Sequence, residues 1–441
     1  MLVMLVLLSM TRVTCNQDDQ FLLFMKSPTA ASPAGNCTFT QRNSSTFTSD
    51  CLERSLEALK LTNSTIRSRN RNMTIGFTYQ FEVLDCFLSP HDCELTETGK
   101  SIDAFLNACV EIQVPCGITI DPYQFWKETN LWNWFDPSLS DNGGGYNPDN
   151  VENVEWTNFS NTSATSISWR NWGSQFRMTT PQPNIASPKL LEQVSNAVGA
   201  AVSVVRSWYE RQSSSKNKNL LVSLKIAEEL DVGANFFFYK NGNTYRTESP
   251  SKDPRTGPDW SKGLSGGPEL EALGYNMLRT LNLRHDGGPP TRDEIKIGIQ
   301  NYFNTTIQSA INVWPLLKDL NILFTHGGLV GDHLIPWSSA MVEPSSPAYS
   351  FYLSKSQRPG GESSELAQSL TSYDPTRRQF AVGEYFCVDC TESQDWLQSL
   401  ENIFLLHNSS TLFVRIVSVY NLSPFASSKY AVDALHQFLL Q

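Results

Sequence analysis

The sequence predicts an α/β fold: a (β/α)8 TIM barrel with long loop insertions and a disulfide-containing N-terminal extension. Three observations carry this expectation. From about residue 72 onward, apolar strand-like runs alternate with helical patterns, the order that builds a parallel sheet with crossover helices. Eight such runs fall within residues 72–441, the number that closes a barrel. No Gly-rich turn joins the first strand to the first helix, as a doubly wound dinucleotide-binding sheet would require. Composition is consistent with a large core: hydrophobic residues make up 40% and charged residues 18% of 441. Disorder needs low hydrophobicity with high net charge.

In chain order, residues 1–15 read as a signal peptide. A short apolar run, Met-Leu-Val-Met-Leu-Val-Leu-Leu, precedes small residues and a cleavage point after Cys15. Residues 16–71 are polar and rich in Ser, Thr and Asn, and read as a glycosylated extension; residues 72–441 read as a catalytic barrel. Strands are expected at 73–84, 114–121, 166–178, 220–230, 321–325, 348–353, 379–386 and 411–420. Helices are expected at 101–110, 268–281, 292–311, 362–370, 394–406 and 429–440. The clearest helix starts at Ser187, an N-cap with Pro188 at the first helical position. Leu191, Val194, Val198, Val202, Val205 and Trp208 then recur every three or four residues. Loops 122–165 and 231–270 are rich in Trp, Tyr, Asn, Asp and Gly, the make-up of a polar cleft over the strand ends.

Two features point to export. Sequons are headed by Asn36, Asn43, Asn63, Asn72, Asn158, Asn161, Asn304, Asn408 and Asn421. Removal of Cys15 from the nine cysteines leaves an even set: Cys37, Cys51, Cys86, Cys93, Cys109, Cys116, Cys387 and Cys390. Their spacing suggests local bridges 37–51, 86–93, 109–116 and 387–390. A zinc ribbon would need a second CxxC or a His pair after Cys387-x-x-Cys390, and neither follows. No metal and no cofactor is expected. No stretch after the leader is long and apolar enough to span a bilayer. Lys and Arg total 34 against 44 Asp and Glu, net −10, which disfavours nucleic acid as a partner. The expected location is secreted, extracellular or lysosomal.

Barrel enzymes hold their chemistry at the C-terminal ends of the strands. Two expected strands run into carboxylates: the fourth into Glu228-Glu229, the seventh into Glu384 within Val-Gly-Glu-Tyr. Such a Glu also arises where a strand merely meets solvent or pairs with a base. On opposite sides of one barrel mouth, two carboxylates suit glycoside hydrolysis: one protonates the leaving oxygen, the other attacks the anomeric carbon, about 5–5.5 Å apart in retaining enzymes. The arrangement resembles the large clan of retaining glycoside hydrolases with (β/α)8 barrels, whose acid/base Glu ends strand four and whose nucleophilic Glu ends strand seven. The resemblance covers residues 72–441 and rests on strand order. It implies Glu229 as acid/base and Glu384 as nucleophile, acting on a carbohydrate. The clan usually carries Asn before its acid/base; Glu228 stands there instead and is the alternative acid/base.

Further candidates line the expected cleft. Trp126, Trp132 and Trp134 offer faces for sugar rings, with Asn133 and Asp136 as hydroxyl partners. Arg177, Asn235, Tyr239, His326, Trp337 and Tyr420 are the remaining candidate substrate contacts. Two other readings stay open. Gly263-Leu-Ser265-Gly-Gly267 matches G-x-S-x-G and suggests a serine hydrolase using Ser265, but polar loop precedes it where a strand is needed. A secreted barrel that binds glycans or proteins without catalysis is the second.

Overall fold

The computed structural model describes residues 19–26, 43–62, 65–68, 72–122, 148–164, 169–171, 175–177, 182–227, 236–239, 270–271, 273–329, 336–356, 364–373, 379–405 and 413–441. Its strands, in chain order, are β1 (Gln20–Lys26), β2 (Met73–Glu82), β3 (Cys116–Asp121), β4 (Trp169–Asn171), β5 (Gln175–Arg177), β6 (Leu221–Ile226), β7 (Phe236–Tyr239), β8 (Leu270–Glu271), β9 (Leu323–Leu329), β10 (Ser346–Leu353), β11 (Gln379–Cys387) and β12 (Phe413–Val419). Eight of them close a barrel in the order β1-β12-β11-β10-β9-β6-β3-β2, every pairing parallel. Helices Ser49–Ala58, Glu97–Glu111, Pro188–Arg211, Arg292–Val313, Ser364–Tyr373, Ser393–Leu405 and Lys429–Leu440 form the outer ring. The fold is therefore a (β/α)8 barrel.

Two expectations about strands need correction, and they offset each other. The barrel begins at β1, inside the stretch read as an extension, so the boundary at residue 72 is too late. Phe21-Leu22-Leu23-Phe24-Met25 is a continuous apolar run, the mark of a parallel strand buried on both faces. Conversely, 166–178 is no barrel strand. Its residues Trp169–Asn171 and Gln175–Arg177 pair antiparallel in a separate sheet of order β5-β4-β7-β8. The alternation Ser-Ile-Ser-Trp-Arg suits an antiparallel sheet rather than a doubly covered strand. With one strand gained and one lost, β6 remains the fourth barrel strand and β11 the seventh.

Helix starts follow local chemistry. Ser187 Oγ accepts the Leu190 N–H at 3.3 Å, and Thr291 with Glu294 forms a reciprocal capping box before Arg292–Val313. The helix expected at 268–281 is shorter, Tyr275–Thr280, because Gly274 adopts φ 109° at its start. That conformation is open to glycine and not to a chain continuing in helix. Ahead of Gly274, Leu270–Glu271 pairs with β7 instead.

The barrel interior has two layers. Phe21, Leu23, Val222, Leu323, Ala348, Ala381 and Ile416 form a closed apolar floor near the N-terminal ends of six strands. Above it, toward the C-terminal ends, the buried residues are polar: Thr78, Gln80, Thr119, Asp121, Lys225, Ser350, Glu384 and Ser418. On β2 the alternate residues Ile75, Phe77, Tyr79 and Phe81 face the helices and join the outer core. An apolar floor under a polar upper layer makes the C-terminal face the place for chemistry.

Candidate active site

The polar layer centres on Glu384, 4% exposed. Simple alternation along β11 would turn it outward, since Ala381 lies in the floor and Val382 in the outer core. A bulge reverses this. Val382 pairs with Tyr349, yet Glu384 pairs with Ser350, leaving Gly383 as the extra residue. The register against β12 slips at the same point, between Val382 and Tyr385. Beyond the bulge, Glu384 joins the polar layer and Tyr385 faces the helices, its phenol 2.6 Å from Ser399 Oγ. Burial pushes the Tyr385 phenol well above its ordinary range. A bulge beside a site commonly serves to re-aim one side chain.

One side chain reaches this carboxylate, a second holds the backbone beside it, and two polar pairs lie elsewhere in the same layer. Tyr352, from β10, donates its phenolic hydrogen to Glu384 Oε2 at 2.6 Å. Its ring is 44% exposed and stands edge-on to Tyr420, centroids 5.8 Å apart. From β6, Lys225 Nζ donates to the Gly383 carbonyl at 3.2 Å. Across the barrel, Gln80 Nε2 donates to Asp121 Oδ2 at 2.8 Å, and the Thr78 and Thr119 hydroxyls lie 3.4 Å apart. The loop after β11 is fixed by the Cys387–Cys390 disulfide. It is also held by Val388 N–H to the Leu353 carbonyl (2.9 Å) and Lys355 N–H to Asp389 Oδ1 (2.7 Å).

At the end of β6, Ala227 is fully buried with φ 56°, in the left-handed region that a non-glycine residue enters at a penalty. The backbone thus turns sharply at the residue before Glu228-Glu229. Glu228 and Glu229 lie outside the described residues, as do Trp126, Trp132, Asn133, Trp134, Asp136, Asn235 and Ser265. Arg177 and Tyr239 end strands of the small antiparallel sheet, paired in register with Trp169 and Leu270.

Two expected contacts fall elsewhere. His326 lies on the outer face of β9, its ring 4.6 Å from Phe303 and its Nδ1 hydrogen-bonded to Ser345 Oγ. Burial pushes its pKa down to about 3, so it stays neutral and structural. Trp337 also packs outside, stacked on Phe351 at 5.6 Å and edge-on to Tyr349 at 5.1 Å. Tyr420, by contrast, sits at the site through Tyr352. Sequence reading missed Tyr352, Lys225, Gln80 and Asp121. For the last three the signal was available: polar residues at the inward positions of otherwise apolar strands.

Cys86–Cys93 and Cys387–Cys390 are bridged, and Cys51 is disulfide-bonded, while Cys37 lies outside the described residues. The expected 109–116 bridge is absent: both are buried free thiols. Cys116 Sγ is instead 3.3 Å from the Leu220 carbonyl. Burial, with Cys116 beside it, raises the Cys109 thiol well above its usual value. Among the described residues one group could offer three metal ligands, Cys387, Asp389 and Cys390, and the disulfide occupies two of them. Of the sequon residues, Asn43, Asn72, Asn158, Asn161 and Asn304 are exposed. Asn421 is half-buried, and its Oδ1 accepts the Ser423 N–H at 3.3 Å. Asn36, Asn63 and Asn408 lie outside the described residues. Among the described residues, no helix is long and apolar enough to cross a membrane.

No family model matches the chain, and no curated protein matches it. Among solved structures, the chain is similar to the beta-galactosidase from Bacillus circulans sp. alkalophilus, with a TM-score of 0.42 and 10% identity over 91% of this chain and 50% of that one. It is also similar to the beta-galactosidase from the psychrophilic Marinomonas ef1, with a TM-score of 0.42 and 8% identity over 95% of this chain and 59% of that one. The chain therefore spans about half the length of the first of these enzymes.

Proposed function

We propose that this chain is a retaining glycoside hydrolase that cleaves O-glycosidic bonds, exported from the cell or delivered to an acidic lumen. One observation carries the reading. A carboxylate on the seventh barrel strand, Glu384, is turned into the barrel by a one-residue bulge and held there by a tyrosine from the sixth. Strand ends lose such a geometry easily; here a bulge, a glycine and a phenol all serve it. The polar layer on β2 and β3 offers further partners for sugar hydroxyls. The formed disulfides and exposed sequon residues support passage through an oxidising, glycosylating compartment.

In this reading a Glu384 oxygen bonds to the anomeric carbon as Glu229 gives its proton to the departing oxygen, breaking the glycosidic bond. Water then attacks the same carbon, Glu229 takes the water's proton, and the bond to Glu384 breaks. Tyr352 holds Glu384 Oε2 and so helps fix the orientation of the attacking carboxylate.

The test is hydrolysis of a panel of aryl glycosides by the secreted, glycosylated chain beside Glu384→Gln and Glu229→Gln. Loss of about 10²–10⁴-fold in kcat for Glu229→Gln, with at least as large a loss for Glu384→Gln, supports the assignment. Azide that rescues the acid/base variant should give a glycosyl azide of retained configuration, whereas azide that replaces the nucleophile should give the inverted one. Rescue of Glu228→Gln instead of Glu229→Gln would move the acid/base by one residue. Binding of glycans without turnover of any of them would favour a non-catalytic lectin-like barrel.

A further inference from the structure

Lys225 lies on the fourth barrel strand inside the polar layer, 3% exposed. Burying an ammonium group is expensive, and an aliphatic residue would fill the same space at far less penalty. Its amine crosses the barrel, past β9 and β10, to the carbonyl of Gly383 on β11 at 3.2 Å. Gly383 is the extra residue of the bulge that turns Glu384 inward. The fit is close: a Cβ at position 383 would lie 3.0 Å from Lys225 Nζ and 3.5 Å from its Cδ. Thr119 and Thr325, the register neighbours of Lys225 on β3 and β9, are buried too.

We infer that Lys225 is a positioning residue for Glu384: its amine clamps the Gly383 carbonyl, fixes the bulge, and so holds the carboxylate pointed into the barrel. The inference rests on the glycosidase reading for its kinetic form. Lys225 itself need not touch substrate, because it acts through the backbone of the neighbouring residue.

The experiment compares the full-length wild type with Lys225→Met, Lys225→Gln and Lys225→Arg on the aryl glycoside that the wild type cleaves best. Loss of the clamp predicts a kcat at least tenfold lower for Lys225→Met, with KM changed less than threefold. Lys225→Arg, which keeps a long cationic donor, should recover most of that loss. Lys225→Gln, which is too short to reach, should not. These two variants carry the comparison if the methionine variant fails to fold. A folded Lys225→Met or Lys225→Gln with wild-type kcat overturns the inference, as does a kcat that Lys225→Arg fails to recover. Inactivity of the wild type on every glycoside would remove the glycosidase reading and leave this one testable. The crystal structure of Lys225→Gln then decides: a displaced Gly383 carbonyl and a broken Tyr352–Glu384 hydrogen bond support the clamp, and an unchanged bulge overturns it.

Discussion

At the scale of single residues, the Tyr352 hydroxyl donates to Glu384 Oε2 at 2.6 Å. A hydrogen bond to a charged group contributes up to about 1.5–3 kcal/mol to stability, and less where the donor is partly exposed, so Tyr352→Phe should lower the stability read from the urea midpoint by about 1 kcal/mol and, by loosening the carboxylate, lower kcat by about tenfold. Steady-state kinetics beside a urea titration checks both halves. Ala227 makes a second residue-level prediction. A left-handed alanine carries about 1–2 kcal/mol of strain, and glycine gives back about half of that through its freer unfolded chain. The buried Ala227 methyl is worth about 0.8 kcal/mol, so these effects nearly cancel: Ala227→Gly should move the urea midpoint little, whereas Ala227→Val, β-branched at a left-handed φ, should lower it. That Glu384 would stand in the barrel was legible, because a lone carboxylate within the apolar run Gln379–Cys387 is visible in sequence. Tyr352 was not, because Ser-Phe-Tyr-Leu shows no sign of which tyrosine turns inward. His326 misled for the same reason: its face depends on register, which a sequence leaves open until the strands pair, while Trp337 lies in the 3-10 turn Trp337–Ala340 between two strands.

At the scale of elements, the bulge in β11 shows where pattern reading stops. Alternation from Ala381 places Glu384 outside, and the one-residue slip that corrects it has no signature beyond a glycine. The loop that follows is short and cross-linked. Closing so small a ring by Cys387–Cys390 is worth about 2 kcal/mol, and Cys387→Ser with Cys390→Ser should destabilise by that amount. A second element depends on pH. Glu155 is fully buried, with Oε2 accepting the Gly274 N–H at 2.9 Å where the helix Tyr275–Thr280 begins. Burial raises its pKa to about 8, against the opposing pull of backbone donors from Gly274, Trp156, Asn276 and Met277. Because the folded value lies above the ordinary 4.5, this group's contribution to stability is full below about pH 4.5 and is lost as pH rises through about 8. The urea midpoint should fall between pH 5 and 8, and Glu155→Gln should flatten that slope. A chain working in an acidic lumen would sit on the stable side. The strand errors in 16–71 and 166–178 are also element-scale: a Ser/Thr-rich surrounding hid an apolar strand, and two short antiparallel strands were read as one barrel strand.

For the whole molecule, barrel closure was legible from the alternation of strands and helices, and the number of strands came out right although one member was misidentified. β1 pairs with both β12 and β2, so it is the strand that closes the ring. A chain of residues 72–441 alone should leave both of those edges unpaired and aggregate, whereas the chain beginning near residue 16 should be monodisperse on size exclusion. A folded, soluble 72–441 would contradict the closed barrel. The proposed chemistry runs across that barrel, and trapping its covalent intermediate would reveal the nucleophile. The protein is incubated with 2-deoxy-2-fluoro glycosides of the sugar it cleaves, and its peptides are read by mass spectrometry. A glycosyl adduct is expected on the peptide containing Glu384, formed as activity is lost. Turnover with inversion at the anomeric carbon, or an adduct on a different carboxylate, would contradict it.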